Sequence, residues 1–183
     1  DQYSALLNDT FDVSLESEFL PFLYPNQYVN FTEDSKAVKL AETLAEKATD
    51  DLEVLQNIFQ YVTENITYDY VKAENVAYGY LPDIDETLES KTGICFDYAA
   101  LMCAMLRCRG IPAKLDIGYT NNGIYHAWIS TYLKDKGWVD NVVEFDGDSW
   151  QLMDPTMISE AKTQAEKKQV LKDSRDYMVQ YVR

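Results

Sequence analysis

Three residues have the types and the chain order that nucleophilic acyl transfer requires: Cys95, His126 and Asp154. A thiolate can attack a carbonyl carbon. An imidazole can take up the proton and return it, and a carboxylate can hold that imidazole in one tautomer. Each residue alone has an ordinary explanation. A cysteine heading an apolar helical stripe is most often a core residue. A single histidine is usually structural, and Asp before Pro is commonest at strand-end turns. Their placement together is more specific. Cys95 follows Gly93-Ile94 at the opening of a helix, where unpaired N–H groups and the helix dipole favour an anion. Gly93 leaves room there for a substrate backbone. His126 is the only histidine in 183 residues, so a Cys–His mechanism has one available base. It lies early on a strand, and Trp128, two positions on, shares its face. Asp154 ends a strand that Pro155 stops.

These residues need elements to position them. Helical periodicity begins near Thr32 with a stripe of Ala37, Leu40, Ala41, Leu44, Ala45 and Ala48. A second helix starts near Asp50, which with Glu53 resembles a capping box, and ends near Asn65. Residues 66–80 read as a tyrosine-rich connection, followed by a short helical turn at Glu86–Ser90. The third helix runs from Cys95 to Arg109, where Gly110 and Pro112 end it. Its stripe is Cys95, Ala99, Met102, Cys103 and Leu106. Strand patterns follow at Lys114–Tyr119, Ile124–Leu133, Trp138–Phe145 and Trp150–Met153, with a hairpin turn at Asn121-Asn122-Gly123. Residues 159–172 read as helix and Tyr177–Val182 as strand. Helices first and an antiparallel sheet afterwards make an α+β domain. The expected layout is one domain: an irregular wrapping segment over 1–30, a core over about 31–160, and a C-terminal helix and edge strand over 161–183. If the strands pair in order, Asp154 comes beside the strand of His126.

Composition bounds the function. Hydrophobic residues are 46% of the chain and aromatic residues 13%, enough for a real core. Acidic residues outnumber basic ones 31 to 16, for a net charge of −15, which argues against nucleic acid as a partner. The acidity either serves solubility or attracts basic peptides. No apolar run is long enough for a transmembrane helix. Cys95, Cys103 and Cys108 share one helix, and the closest pair, Cys103 and Cys108, lies five residues apart on different faces, so no intrachain disulfide is expected. Zinc is not expected either, because there is no C-x-x-C pair and one histidine cannot complete a common ligand set. Asp140, Glu144, Asp146 and Asp148 lack the spacing of a calcium loop and read as a solvated hairpin. The chain opens on Asp1 with no signal-like apolar segment, through removal of a leader or through trimming. Removal of a leader gives the expectation of a secreted or cell-envelope protein. Sequons occur at Asn8, Asn30 and Asn65.

At its chemistry-bearing residues the sequence resembles the transglutaminase-like superfamily. The motifs are KTGICFDYAALMCAMLRCRGIPAKLDIGY at 91–119, YHAWIS at 125–130 and WQLMDPT at 150–156. NITYDY at 65–70 and GYLPDIDETL at 79–88 resemble its bacterial branch. The resemblance covers residues 30–160. It implies a papain-like fold, a Cys95–His126–Asp154 triad and a thioester intermediate, with no cofactor. It departs from the family's simplest members in a longer segment between HAW and DPT. It also has no equivalent of the tryptophan that helps stabilise the oxyanion in animal transglutaminases. The Cys95 backbone N–H is the better candidate donor there, with Tyr68, Tyr78 and Tyr80 as weaker ones. Asp97 reads as a helix-dipole partner that bonds neighbouring loops, not as a catalytic group. The expected activity is a peptidase or amidase acting on peptides or proteins. Two alternatives are a protein cross-linking transglutaminase and a non-catalytic binding module that keeps the fold.

Overall fold

The computed structural model describes residues 9–12, 14–119, 123, 125–134, 137–139, 143–145, 150–152 and 178–183, with backbone only for 143–145 and 150–152. The helices come first: α1 Lys36–Ala45, α2 Asp51–Asn65, α3 Tyr70–Asn75, α4 Ile84–Ser90 and α5 Cys95–Arg107. Two short strands, β1 Thr67–Tyr68 and β2 Thr92–Gly93, pair in parallel between them. The strands β3 Ala113–Tyr119, β4 Tyr125–Leu133, β5 Gly137–Val139 and β8 Met178–Val182 form an antiparallel sheet in the order β5-β4-β3-β8. The strands β6 Val143–Phe145 and β7 Trp150–Leu152 form a separate antiparallel pair. This is the expected α+β architecture.

Acidic side chains start most of the helices. Asp50 accepts the Glu53 N–H at 2.8 Å, while the Glu53 carboxylate reaches back to the Thr49 N–H at 2.8 Å, one residue beyond the standard capping box. Asp69 caps α3, and Asp83 caps α4. Ser35 makes no side-chain cap for α1. Asp85 of α4 does this from outside, accepting the Lys36 and Ala37 N–H groups at 3.0 Å each. One carboxylate thus satisfies two orphan donors and docks two helices.

The centre of the molecule is α5. The single stripe read from the sequence is too narrow, because every residue from Asp97 to Leu106 is buried. The helix packs against α1, α2 and α4 on one side and β3 and β4 on the other. Leu101, Met102, Met105 and Leu106 lose all solvent contact, each contributing up to about 1.5–3 kcal/mol. A helix buried all round shows little periodicity, which is why one face stood out only weakly.

The connection after α2 contains β1 and α3, where the sequence reading had only a loop. The expected strand Trp138–Phe145 is divided between β5 and β6, which belong to different sheets. Consecutive strands pair as β3-β4-β5 and β6-β7, but β8 returns to pair with β3, and among the described residues β7 pairs with β6 and not with β4, the strand of His126. The N-terminal segment is irregular apart from a 3-10 turn at Leu20–Phe22. Its Phe19 and Phe22 rings pack on Tyr132 and Trp138 of the sheet. Asp154, residues 159–172, Asn121, Asn122, Asp140, Asp146 and Asp148 lie outside the described residues.

Candidate active site

Cys95 is the first residue of α5, where the leading N–H groups have no intrahelical acceptor. The buried carboxylate of Asp97 fixes this helix start by accepting the Ile94 N–H at 2.8 Å. Gly93 precedes it, in β2. The Asp69 N–H donates to the Gly93 carbonyl at 2.9 Å, which ties Tyr68 beside the head of α5.

His126 enters from β4, opposite Gly118 of β3. A Cβ at Gly118 would come 1.9 Å from the Met178 carbonyl oxygen. Only glycine lets β8 cross at this point, and the β3–β8 register shifts between Ile117 and Gly118. His126 is 9% exposed, and its ring stacks on Trp128 with centroids 6.4 Å apart.

Cys95 and His126 line one cavity of about 680 Å³, within the ~300–1,000 Å³ typical of small-molecule sites. Tyr68, Tyr78 and Tyr80 line it too. Its lining also includes the wall segment 76–80, Ile94 and Phe96 on either side of Cys95, and Ile117 and Tyr125 from the sheet.

The segment 76–80 is fastened to α5 through Asp97. Tyr80 donates its hydroxyl proton to Asp97 Oδ1 at 2.6 Å, and the Lys72 ammonium lies 2.8 Å from Oδ2. Lys72 Nζ also sits 4.6 Å from the centre of the Tyr80 ring. Burial, helped by the Asp97 hydrogen bond, pushes Tyr80 up to about 12. Burial pulls the Lys72 ammonium down, but its bonds to Asp97 and Tyr80 outweigh that and raise it overall. Both groups therefore keep their protons through the neutral range, and the clamp is a charged pair plus a neutral hydroxyl. Burial first, then the neighbouring Tyr181 and Tyr119, raises Tyr125.

The structure thus brings together Cys95, His126 and the three tyrosines. Tyr80's proton is committed to Asp97, while Tyr78 stands fully exposed at the rim. Gly93 is buried and absent from the described cavity lining. A Cβ there would come 2.7 Å from Asp97 Cβ, so its bareness accommodates the capping carboxylate. Trp128 supports His126 from within the sheet and is likewise absent from the described lining. Asp97 bonds the neighbouring loop, as the sequence reading expected. That reading missed Lys72, Ile94, Phe96, Ile117 and Tyr125. Adjacency to Cys95 and His126 could have suggested Ile94, Phe96 and Tyr125, whereas nothing in the spacing marks Lys72.

A family model described as "Transglutaminase-like superfamily" matches residues 38–155. "UPF0252 protein MJ1282" of Methanocaldococcus jannaschii is 30% identical over 131 residues, covering 66% of this chain and 37% of that protein. "Uncharacterized protein YebA" of Bacillus subtilis is 33% identical over 101 residues, covering 45% of this chain and 13% of that protein. Among solved structures, a "Putative Cysteine Protease from Cytophaga hutchinsonii" superposes with a TM-score of 0.56 at 25% identity, covering 79% of this chain and 44% of that one. The chain spans less than half the length of each of these three proteins.

Proposed function

The chain belongs to the transglutaminase-like superfamily, and on that premise we propose that it is a cysteine acyl-transfer enzyme that hydrolyses amide bonds of peptides or proteins. The observation that carries this reading is the opening of Cys95, at the head of α5, and of the chain's sole histidine onto one cavity. The Cys95 thiolate attacks the amide carbonyl carbon and forms the C–S bond. The C–N bond then breaks, and the imidazolium of His126 gives its proton to the departing amine. Water next attacks the thioester with His126 as base, the C–S bond breaks, and the carboxylic acid leaves. The backbone N–H of Cys95 is the donor best sited for the oxyanion of both steps. Asp154 orients the imidazole in this scheme.

The test is turnover of a peptide library by the unaltered chain, Cys95→Ala and Asp154→Asn, with and without a primary amine. Loss of all product formation in Cys95→Ala supports the reading, and unchanged turnover sinks it. Incorporation of the amine in place of water would convert the assignment to cross-linking. Asp154→Asn should fold normally and lose roughly 10–10³-fold in turnover. That is less than the ~10⁴ of a serine triad, because a thiolate–imidazolium pair depends less on the third residue. Full activity in this variant would make Asp154 a turn residue, and Asn141 the next candidate to hold the base.

A further inference from the structure

The chain's strong acidity could serve solubility or attract basic peptides, and the described part of the site does not carry that charge. Among the described residues, no Asp, Glu, Lys or Arg lines the cavity that Cys95 and His126 share. Two charged groups, Lys72 and Asp97, lie against Tyr80 and neutralise each other at 2.8 Å. The described lining is instead mostly aromatic and aliphatic, with Ile94, Phe96 and Ile117 buried or half-buried and Val76, Tyr78 and Tyr125 exposed. These last three are 42%, 108% and 55% exposed, an apolar lip that water covers when the cavity is empty.

From this we propose that the cavity is a specificity site for an uncharged aromatic or large aliphatic side chain beside the reacting amide. The inference rests on the proposed acyl transfer at Cys95 and adds the substrate class. An apolar side chain entering the cavity removes both its own surface and the lip from water. A lysine or arginine head placed there would lose hydration with no carboxylate among the described lining residues to replace it, and a glutamate would find no Lys or Arg among them. The wall 76–80 is the part that can select. It is held at Tyr80 by the Asp97 clamp, so it presents Val76, Ala77 and Tyr78 in a fixed place. Tyr80 also closes a turn on the Ala77 carbonyl at 3.1 Å.

The experiment uses chloromethyl ketones of N-acetylated phenylalanine, leucine, lysine and glutamate, which alkylate an active cysteine without requiring turnover. The rate of Cys95 labelling is read by mass spectrometry and divided by each reagent's rate with free cysteine. The phenylalanyl and leucyl reagents should label Cys95 on the order of 10–100 times faster than the lysyl and glutamyl ones. Ala77→Asp should raise the lysyl rate relative to the phenylalanyl rate by about tenfold, because it adds a carboxylate to the described lining at an exposed position. Equal rates across the series, a faster lysyl reagent in the unaltered chain, or an unmoved ratio in Ala77→Asp would each overturn the proposal. Failure of the hydrolase reading is distinguishable: fast phenylalanyl labelling with no turnover of any library peptide would reject hydrolysis and leave the apolar site standing.

Discussion

The two ends of α5 hold similar residue types in opposite circumstances. At the start stand Cys95 and, two residues on, Asp97. At the end stand Cys108 and Arg107, with Cys103 one turn before. Each end buries a charged side chain whose sign complements the helix dipole, negative at the start and positive at the finish. Asp97 is satisfied by the Ile94 N–H, the Tyr80 hydroxyl and the Lys72 ammonium. Arg107 is satisfied by three carbonyls, donating to Ala113 at 2.9 Å, Tyr24 at 3.0 Å and Arg183 at 2.8 Å. The Asp97 partners form a cavity wall, whereas the Arg107 partners sew the N-terminal segment, the start of β3 and the last residue onto the core. Burial pushes the Cys103 thiol up to about 12 and that of Cys108 up to about 11, while Cys95 faces the cavity. On the proposed function, the same helix therefore begins at the reacting thiol and ends in a structural staple. What differs is access and the sign of the local field, not residue type.

Exchanging the cysteines should break this comparison most sharply. Cys95→Ala should abolish turnover, while Cys103→Ala and Cys108→Ala should keep it. Iodoacetamide at neutral pH should modify Cys95 alone in the folded protein. Thiolate is only on the order of 10⁻⁴ of Cys108 at pH 7, and less of Cys103. Peptide mapping that found Cys108 modified first would contradict the assigned roles.

Next in size are the two buried charges. Asp97→Ala leaves the Ile94 and Tyr80 donors and the Lys72 ammonium without their acceptor, and should cost about 3 kcal/mol in denaturant unfolding. It should also slow phenylalanyl chloromethyl ketone labelling in whatever fraction stays folded, since the wall loses its pin. Arg107→Met should cost about 2–3 kcal/mol by stranding three carbonyls. Turnover per folded molecule should stay unchanged, because none of its partners lines the cavity. Equal effects of both variants on labelling per folded molecule would show that the two ends are not functionally distinct.

The smallest effect belongs to Tyr80→Phe. The folded protein holds the Tyr80 proton up to about 12, above the ordinary tyrosine value of ~10. Its contribution to stability is therefore whole below pH ~10 and is lost as pH rises from there through about 12. Lys72, also raised, weakens the fold in the same direction on the alkaline side. Thermal midpoints measured from pH 8 to 12 should fall less steeply in Tyr80→Phe than in the unaltered chain. Parallel curves would mean that the Tyr80–Asp97 bond does not matter to folding.

The sequence by itself determined whatever depends on neighbours in the chain. The cap at Asp50, the start of α5 at Cys95 and the β3 and β4 strands follow from local spacing, and a single histidine left one possible base. It was also enough to recognise the superfamily, because the nucleophile motif and the histidine motif are each contiguous. The tertiary structure alone decided what depends on distant segments. Lys72, Tyr80 and Asp97 are separated by 8 and 17 residues and meet because one buried carboxylate needs donors. Asp85 caps a helix 48 residues before it for the same reason. β5 and β6 separate into two sheets although the sequence reads as one strand, since alternation fixes a strand's faces but not its partners. That the described lining of the cavity holds no Asp, Glu, Lys or Arg in a chain of charge −15 is likewise beyond composition, because composition does not say which residues the fold brings to one place.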